Sequence, residues 1–316
     1  MLIVIILISI LSFVIIQLPP GDYLTSYITS LQKSGKKITQ EKVESLKDRY
    51  GIDEPIYVQY FKWIFNFVQG DMGKSFQYNE PVNSLIWERL GLTFVISLSS
   101  MLFTWIVAFP VGIISALRQY SITDYVFTFL SFIGLAIPNF MLALILMYVG
   151  FEYWGINVGG LFSPAYQDAA WSFGKVIDLL KHLWVPTIVV GTAGTAGLVR
   201  IMRANLLDEL GKLYVTTARA KGVSHMKLIF KYPVRIALNP FISTLGWSLP
   251  KLISGSTITA VVLNLPTTGP LLLGALKSQD MYLAGSFVML LSILTVIGTF
   301  ISDLLLAALD PRIRYE

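Results

Sequence analysis

The chain has 316 residues, 54% of them hydrophobic and 14% charged, with a mean hydropathy of +0.66. A soluble domain carries about 25% charged residues, so this composition describes one membrane body, and the net charge of +5 is explained by basic cytosolic loops rather than by nucleic acid. Cysteine is absent and the two histidines, His182 and His225, lie far apart, which excludes disulfides, thiol catalysis and Cys-ligated metals. No catalytic, cofactor or metal site is expected.

A bilayer span needs roughly 20 apolar residues. Residues 1–18 carry no charge and end at Pro19-Pro20-Gly21. They lack the basic n-region and A-x-A-like site of a signal peptide, so they read as a first span. The apolar run is already under way at Met1, which leaves open a few native residues ahead of it. Residues 19–89 form a loop with nine basic and nine acidic residues, expected to fold as a small cap. Within it, 41–50 reads as a short amphipathic helix closed by Gly51. Residues 55–68 are aromatic and apolar and are expected to lie along a membrane surface. Gly70-Asp71-Met72-Gly73-Lys74-Ser75 imitates a phosphate loop, but the glycine required five positions before the Gly-Lys pair is Val68.

Uncharged runs follow at 90–117 and 125–151, a shorter one at 183–199, then 240–263, interrupted by Lys251, and 283–309, interrupted by Asp303. Gly191, Gly194 and Gly197 give the fourth span a face without bulk, suited to packing within the subunit or across a dimer. Lys251 lies near mid-span, where a charge costs roughly 2.5–3.5 kcal/mol on insertion scales. Beside Pro250, it either lines a water-filled path, with Ser254 and Ser256, or is satisfied by a carbonyl or by snorkelling. Asp303, nearer a span end, reads as a structural partner of a basic residue.

Six spans put both termini on one side. The loops and terminus on that side hold Arg118, Arg200, Arg203, Lys212, Arg219, Lys221, Lys227, Lys231, Arg235, Arg312 and Arg314, eleven basic residues. The short loops opposite hold Lys175, Lys181 and Lys277. The positive-inside rule therefore makes both termini cytosolic and turns 19–89, 152–182 and 264–282 outward. The fold class is an all-α membrane protein: six transmembrane helices, an extracytoplasmic cap loop and a cytosolic coupling helix. Its parts are residues 1–18, 19–89 and 90–316, with the coupling loop at 204–239.

That loop is the most informative stretch. Thr216-Thr217-Ala218-Arg219-Ala220-Lys221-Gly222 is a small-residue run ended by glycine, shaped for close docking to a partner. Arg219 and Lys221 are suited to acidic groups on a partner's rim, and Arg200 and Arg203 to partner or topology contacts. His225 reads as a solvated or interface residue.

The order of motifs resembles a transmembrane permease subunit of binding-protein-dependent ABC importers, in the dipeptide/oligopeptide/nickel group. The resemblance rests on 50–60, on 70–76, on Arg200-Ile201-Met202-Arg203 leading into 214–222, on Pro240, and on Asp310-Pro311-Arg312-Ile313-Arg314-Tyr315. Thr216-Thr217-Ala218 stands where the wider family has Glu-Ala-Ala. Ala260 stands where the group often has Glu, and Pro266-Thr267-Thr268-Gly269 replaces a more usual Pro-Gly-x-Gly. The resemblance implies an importer of oligopeptides or dipeptides, with oligosaccharides as an alternative cargo. It implies a second, different permease chain, two cytosolic ATPases that hydrolyse ATP in its place, and an extracytoplasmic solute-binding protein, all at the cell membrane. The rival from another class is a self-contained secondary transporter, which would usually show inverted repeats and more ionisable residues in its spans.

Overall fold

The computed structural model describes residues 2–17, 54–75, 77–156, 158–239, 241, 257–278 and 280–309. The expected helix at 41–50, Pro240, Lys251, Ser254, Ser256 and the 310–315 terminus lie outside the described residues. Among the described residues the regular structure is helical apart from one antiparallel bridge between Lys74 and Pro81. In chain order the helices are α1 (Leu2–Gln17), α2 (Ile56–Val68), α3 (Val82–Leu117), α4 (Ile122–Ala136), α5 (Asn139–Trp154), α6 (Phe173–His182), α7 (Trp184–Leu210), α8 (Leu213–Ala220), α9 (His225–Lys231), α10 (Pro233–Ala237), α11 (Thr257–Val262), α12 (Thr268–Lys277) and α13 (Met281–Leu309).

Among the described residues, three helical stretches are long and apolar enough to cross a bilayer: Val82–Leu117, Trp184–Leu210 and Tyr282–Ile301. α4 and α5 qualify only as a pair, bent by 98°. The uninterrupted span expected over 125–151 is therefore two helices. The cause is Pro138, which lacks an N–H and pushes the residue before it out of the α region. Ile137 is extended at φ −83°, ψ 117°. α7 also runs on to Leu210, so Arg200 and Arg203 are helical residues.

The chain divides into two compact units. The first joins Met1–Leu92 to Thr267–Ile297. Here α2 packs on α1 through Trp63, buried beside Phe67, with Phe13 against Trp63 at 5.9 Å between ring centres. Tyr60 and Ser9 share a 2.6 Å hydrogen bond across the same contact. α2 is expected to lie along a membrane surface. It leaves Ile56, Tyr57, Phe61, Phe65 and Val68 exposed on its other side.

The second unit joins Thr93–Pro266 to Gly298–Glu316 and is organised around α7, which contacts α4, α5, α6 and α10. A Cβ added at Gly191 would stand 2.6 Å from Phe103 Cδ1 and 3.2 Å from the Ser100 carbonyl. Thr104 donates to the Gly191 carbonyl at 3.0 Å, with its hydroxyl buried. At Gly191, and at Gly194 against Thr104, the bare helix face serves packing inside the subunit; Gly197 is open. In the same unit the loop before α6 folds round Lys175, which is 7% exposed. Its ammonium donates to the Ala169 carbonyl at 2.6 Å and lies 4.9 Å from the Phe162 ring centre.

Candidate functional site

The 213–222 stretch is a two-turn helix with opposed faces. Val215 and Ala218 point inward to a core of Met202, Leu206, Leu228, Ile229, Val234 and Phe241. Leu213, Thr216, Thr217 and Ala220, spaced as one face of a helix, are exposed. Arg219 and Lys221 are exposed beside them. The small residues expected at a docking face thus divide: Ala220 is free to meet a partner, and Ala218 is held inside.

The helix ends as its sequence requires. Gly222 has φ +76°, its N–H donates to the Arg219 carbonyl at 3.0 Å, and the Val223 N–H reaches the Ala218 carbonyl at 3.3 Å. This 5→2 and 6→1 pair is a Schellman motif, with Val223 packed back on the core. A Cβ at Gly222 would meet nothing within 4 Å. Glycine is favoured there by backbone conformation and not by crowding within the chain.

α8 is tied to the end of α7 by Tyr214, whose hydroxyl donates to Glu209 Oε2 at 2.5 Å. Burial, and then the Glu209 contact, push the Tyr214 hydroxyl well above its usual range, so it stays a donor at any physiological pH. Next to α8, α9 and α10 leave Met226, Phe230 and Ile236 exposed. Leu213, on the small-residue face itself, is 85% exposed. Sequence reading missed these four. The signal was available: each sits one helical face away from the buried Val215, Leu228, Ile229 and Val234.

Arg203 turns inward along the chain. Its Nε and Nη2 donate to the two carboxylate oxygens of Asp124, each at 2.8 Å. Asp124 is 2% exposed and also accepts the Tyr120 N–H at 3.0 Å. Arg200, by contrast, is exposed and stacks over the Phe132 ring at 5.5 Å. His225 is exposed at the start of α9.

The phosphate-loop imitation in the first unit has a structural explanation. Ser75, fully buried, donates to Asp280 Oδ2 at 2.5 Å, and the Gln77 N–H donates to the same oxygen at 3.2 Å. Gly73, at φ +85°, lies where a Cβ would come 2.7 Å from the Tyr282 ring. The donors of this loop are thus taken up by the chain's own carboxylate at Asp280.

Residues 108–315 match the family described as "Binding-protein-dependent transport system inner membrane component", and residues 1–99 match its N-terminal region. The chain belongs to this family of permeases. It is 39% identical over 309 residues to the oligopeptide transport system permease protein AppB of Bacillus subtilis, covering 98% of this chain and 94% of that one. It is 28% identical to the dipeptide transport system permease protein DppB of Escherichia coli K12, covering 98% and 94%. Among solved structures, the MetNI methionine ABC transporter in inward-facing conformations matches with a TM-score of 0.54 at 17% identity, covering 72% of this chain and 96% of the other, which supports the fold. Membership makes this permease a multi-pass inner-membrane component of a binding-protein-dependent importer and removes the secondary-transporter alternative.

Proposed function

We propose that this permease carries oligopeptides or dipeptides across the membrane as one of two different permease chains, driven by two cytosolic ATPases and loaded by an extracytoplasmic binding protein. The peptide reading rests on the names of its relatives over almost the whole chain. The assignment of α8 as the ATPase contact rests on one observation: a short helix fixed to the body by Val215, Ala218 and Tyr214 that leaves Leu213, Thr216, Thr217 and Ala220 exposed on its outer face, with Arg219 and Lys221 exposed beside them. A rigid mount is what a force-transmitting element needs, and alternating access by helix movement follows from it. Thr216, Thr217, Ala220 and Leu213 form the contact, Arg219 and Lys221 orient it, and Ala218 and Gly222 hold its shape.

The domain reading is a first helix at 1–18, a cap loop at 19–89 and a core of five spans at 90–316, with cytosolic termini. Lys251, Ser254 and Ser256 are assigned to the translocation path. The deciding experiment is purification of the reconstituted importer with Leu213→Asp. Leu213 is exposed, so the variant should insert and keep its fold while losing bound ATPase. Retention of ATPase and of transport would overturn the α8 assignment, and the ligand recovered from the binding protein of the wild-type complex checks the cargo.

A further inference from the structure

Between α4 and α7 lies a cleft of about 320 Å³ whose two ends differ in chemistry. Arg203, Asp124 and the hydroxyl-bearing Tyr120 and Tyr125 form the polar part of the lining; Phe132, Leu135 and Val199 form the apolar part, and Arg200 lies over the Phe132 ring where the two meet. The polar end coincides with the ends of two apolar runs, for Asp124 immediately precedes the run 125–151 and Arg200 immediately follows 183–199. The cleft therefore straddles the level at which a bilayer changes from hydrocarbon to headgroups.

The charges do not cancel. Asp124 is bound bidentately by Arg203 and is used up by that pairing. Arg200 faces an aromatic ring instead of a carboxylate, so its guanidinium carries the net positive charge of the cleft. A stacked guanidinium is pre-oriented and weakly hydrated, well suited to phosphate oxygens. Below it, Phe132 and Leu135 are exposed and offer an apolar track for a chain.

We infer that this cleft binds one anionic phospholipid, its phosphate on Arg200 where the polar lining meets the apolar one and an acyl chain along Phe132 and Leu135. Basic pockets at the membrane boundary of helix pairs select anionic headgroups in this way. A free phosphate would use the polar end alone and leave the apolar track empty, so the two sources are distinguishable. The inference uses the boundary of the apolar runs and not which side of the membrane they face, so it stands or falls independently of the cargo and of α8.

The test is native mass spectrometry of the full-length chain in detergent, titrated with phosphatidylglycerol, phosphatidylcholine and inorganic phosphate. Phosphatidylglycerol should be retained in preference to phosphatidylcholine. Arg200→Gln should weaken that retention about fivefold, the worth of one basic residue near an anionic headgroup, and Arg200→Lys should restore most of it. Leu135→Trp, at an exposed position, should weaken it by obstructing the track without lowering the melting temperature. Equal retention of both lipids, an Arg200→Gln variant that binds like wild type, or inorganic phosphate competing as well as the lipid would each overturn the proposal.

Discussion

Arg203 and Asp124 are 79 positions apart in the chain and meet as a two-pronged pair, both N···O distances 2.8 Å, with the carboxylate almost fully buried. The pair fixes the start of α4 against α7, so it governs the shape of the cleft as well as the stability of the second unit. Removing one partner of a buried pair leaves the other charge without compensation. Arg203→Met should cost about 3 kcal/mol, the low end for such breaks, because the Arg203 side chain is 27% exposed and some water reaches it. The Asp124→Asn/Arg203→Met double variant should unfold closer to wild type than Arg203→Met does. Thermal unfolding in detergent reads both, and additive losses would show that the pair is not coupled.

In the first unit, Gly70 and Gly73 make a matched comparison. Both have positive φ, +87° and +85°. Alanine at either carries the same backbone strain, about 1–2 kcal/mol. Only at Gly73 does the new methyl meet an obstacle, the buried Tyr282 ring at 2.7 Å. Gly73→Ala should therefore lower the melting temperature clearly more than Gly70→Ala, and Tyr282→Leu should narrow the gap between them. Equal effects would mean the ring moves aside freely.

Acid should loosen the loop before α6. Burial raises the Asp178 carboxyl, but the Ser163 N–H at 2.7 Å and hydroxyl at 2.9 Å outweigh it, so the group sits below its ordinary value. A depressed carboxylate contributes stability that is present above its unfolded pKa, about 3.9, and is lost as pH falls through the lower folded value. Melting temperature should drop as pH falls below about 4, and Asp178→Asn should flatten that part of the profile. A variant with the same acid limb as wild type would assign the loss to other groups.

The sequence disclosed what is local and hid what is not. The glycine stop at Gly222, the short helix before it and the apolar runs of α3, α7 and α13 all depend on neighbours within a few residues, and they lie where the spacing puts them. The Arg203–Asp124 pair needed two distant charges to be matched. Arg203 reads as a partner contact only because its partner is invisible from its own neighbourhood. The 98° bend was legible in Pro138, but a search for uncharged runs passes over proline. The small residues of α8 suggest one docking face by size alone, and only their helical phase divides them.

That phase separates Ala218 from Ala220, and the two alanines should respond in opposite ways. Ala218 is buried among Met202, Leu206 and Ile229. Forcing even one extra methylene or two into such a core costs about 1–3 kcal/mol. Ala218→Leu should lower stability by about that amount, with loss of ATPase contact following from a displaced helix. Ala220 is exposed on the outer face, and its helical backbone accepts any side chain. Ala220→Trp should leave the melting temperature of the isolated permease within a degree or two of wild type, since exposed substitutions usually stay within about 0.5 kcal/mol. In the assembled importer the indole would stand where the partner must approach, so ATPase binding or substrate-stimulated hydrolysis should fail. Gly222→Trp is the poorer probe, because its positive φ strains any non-glycine residue and mixes a folding defect with a docking one. An Ala220→Trp permease that assembles and transports normally would place the ATPase contact elsewhere.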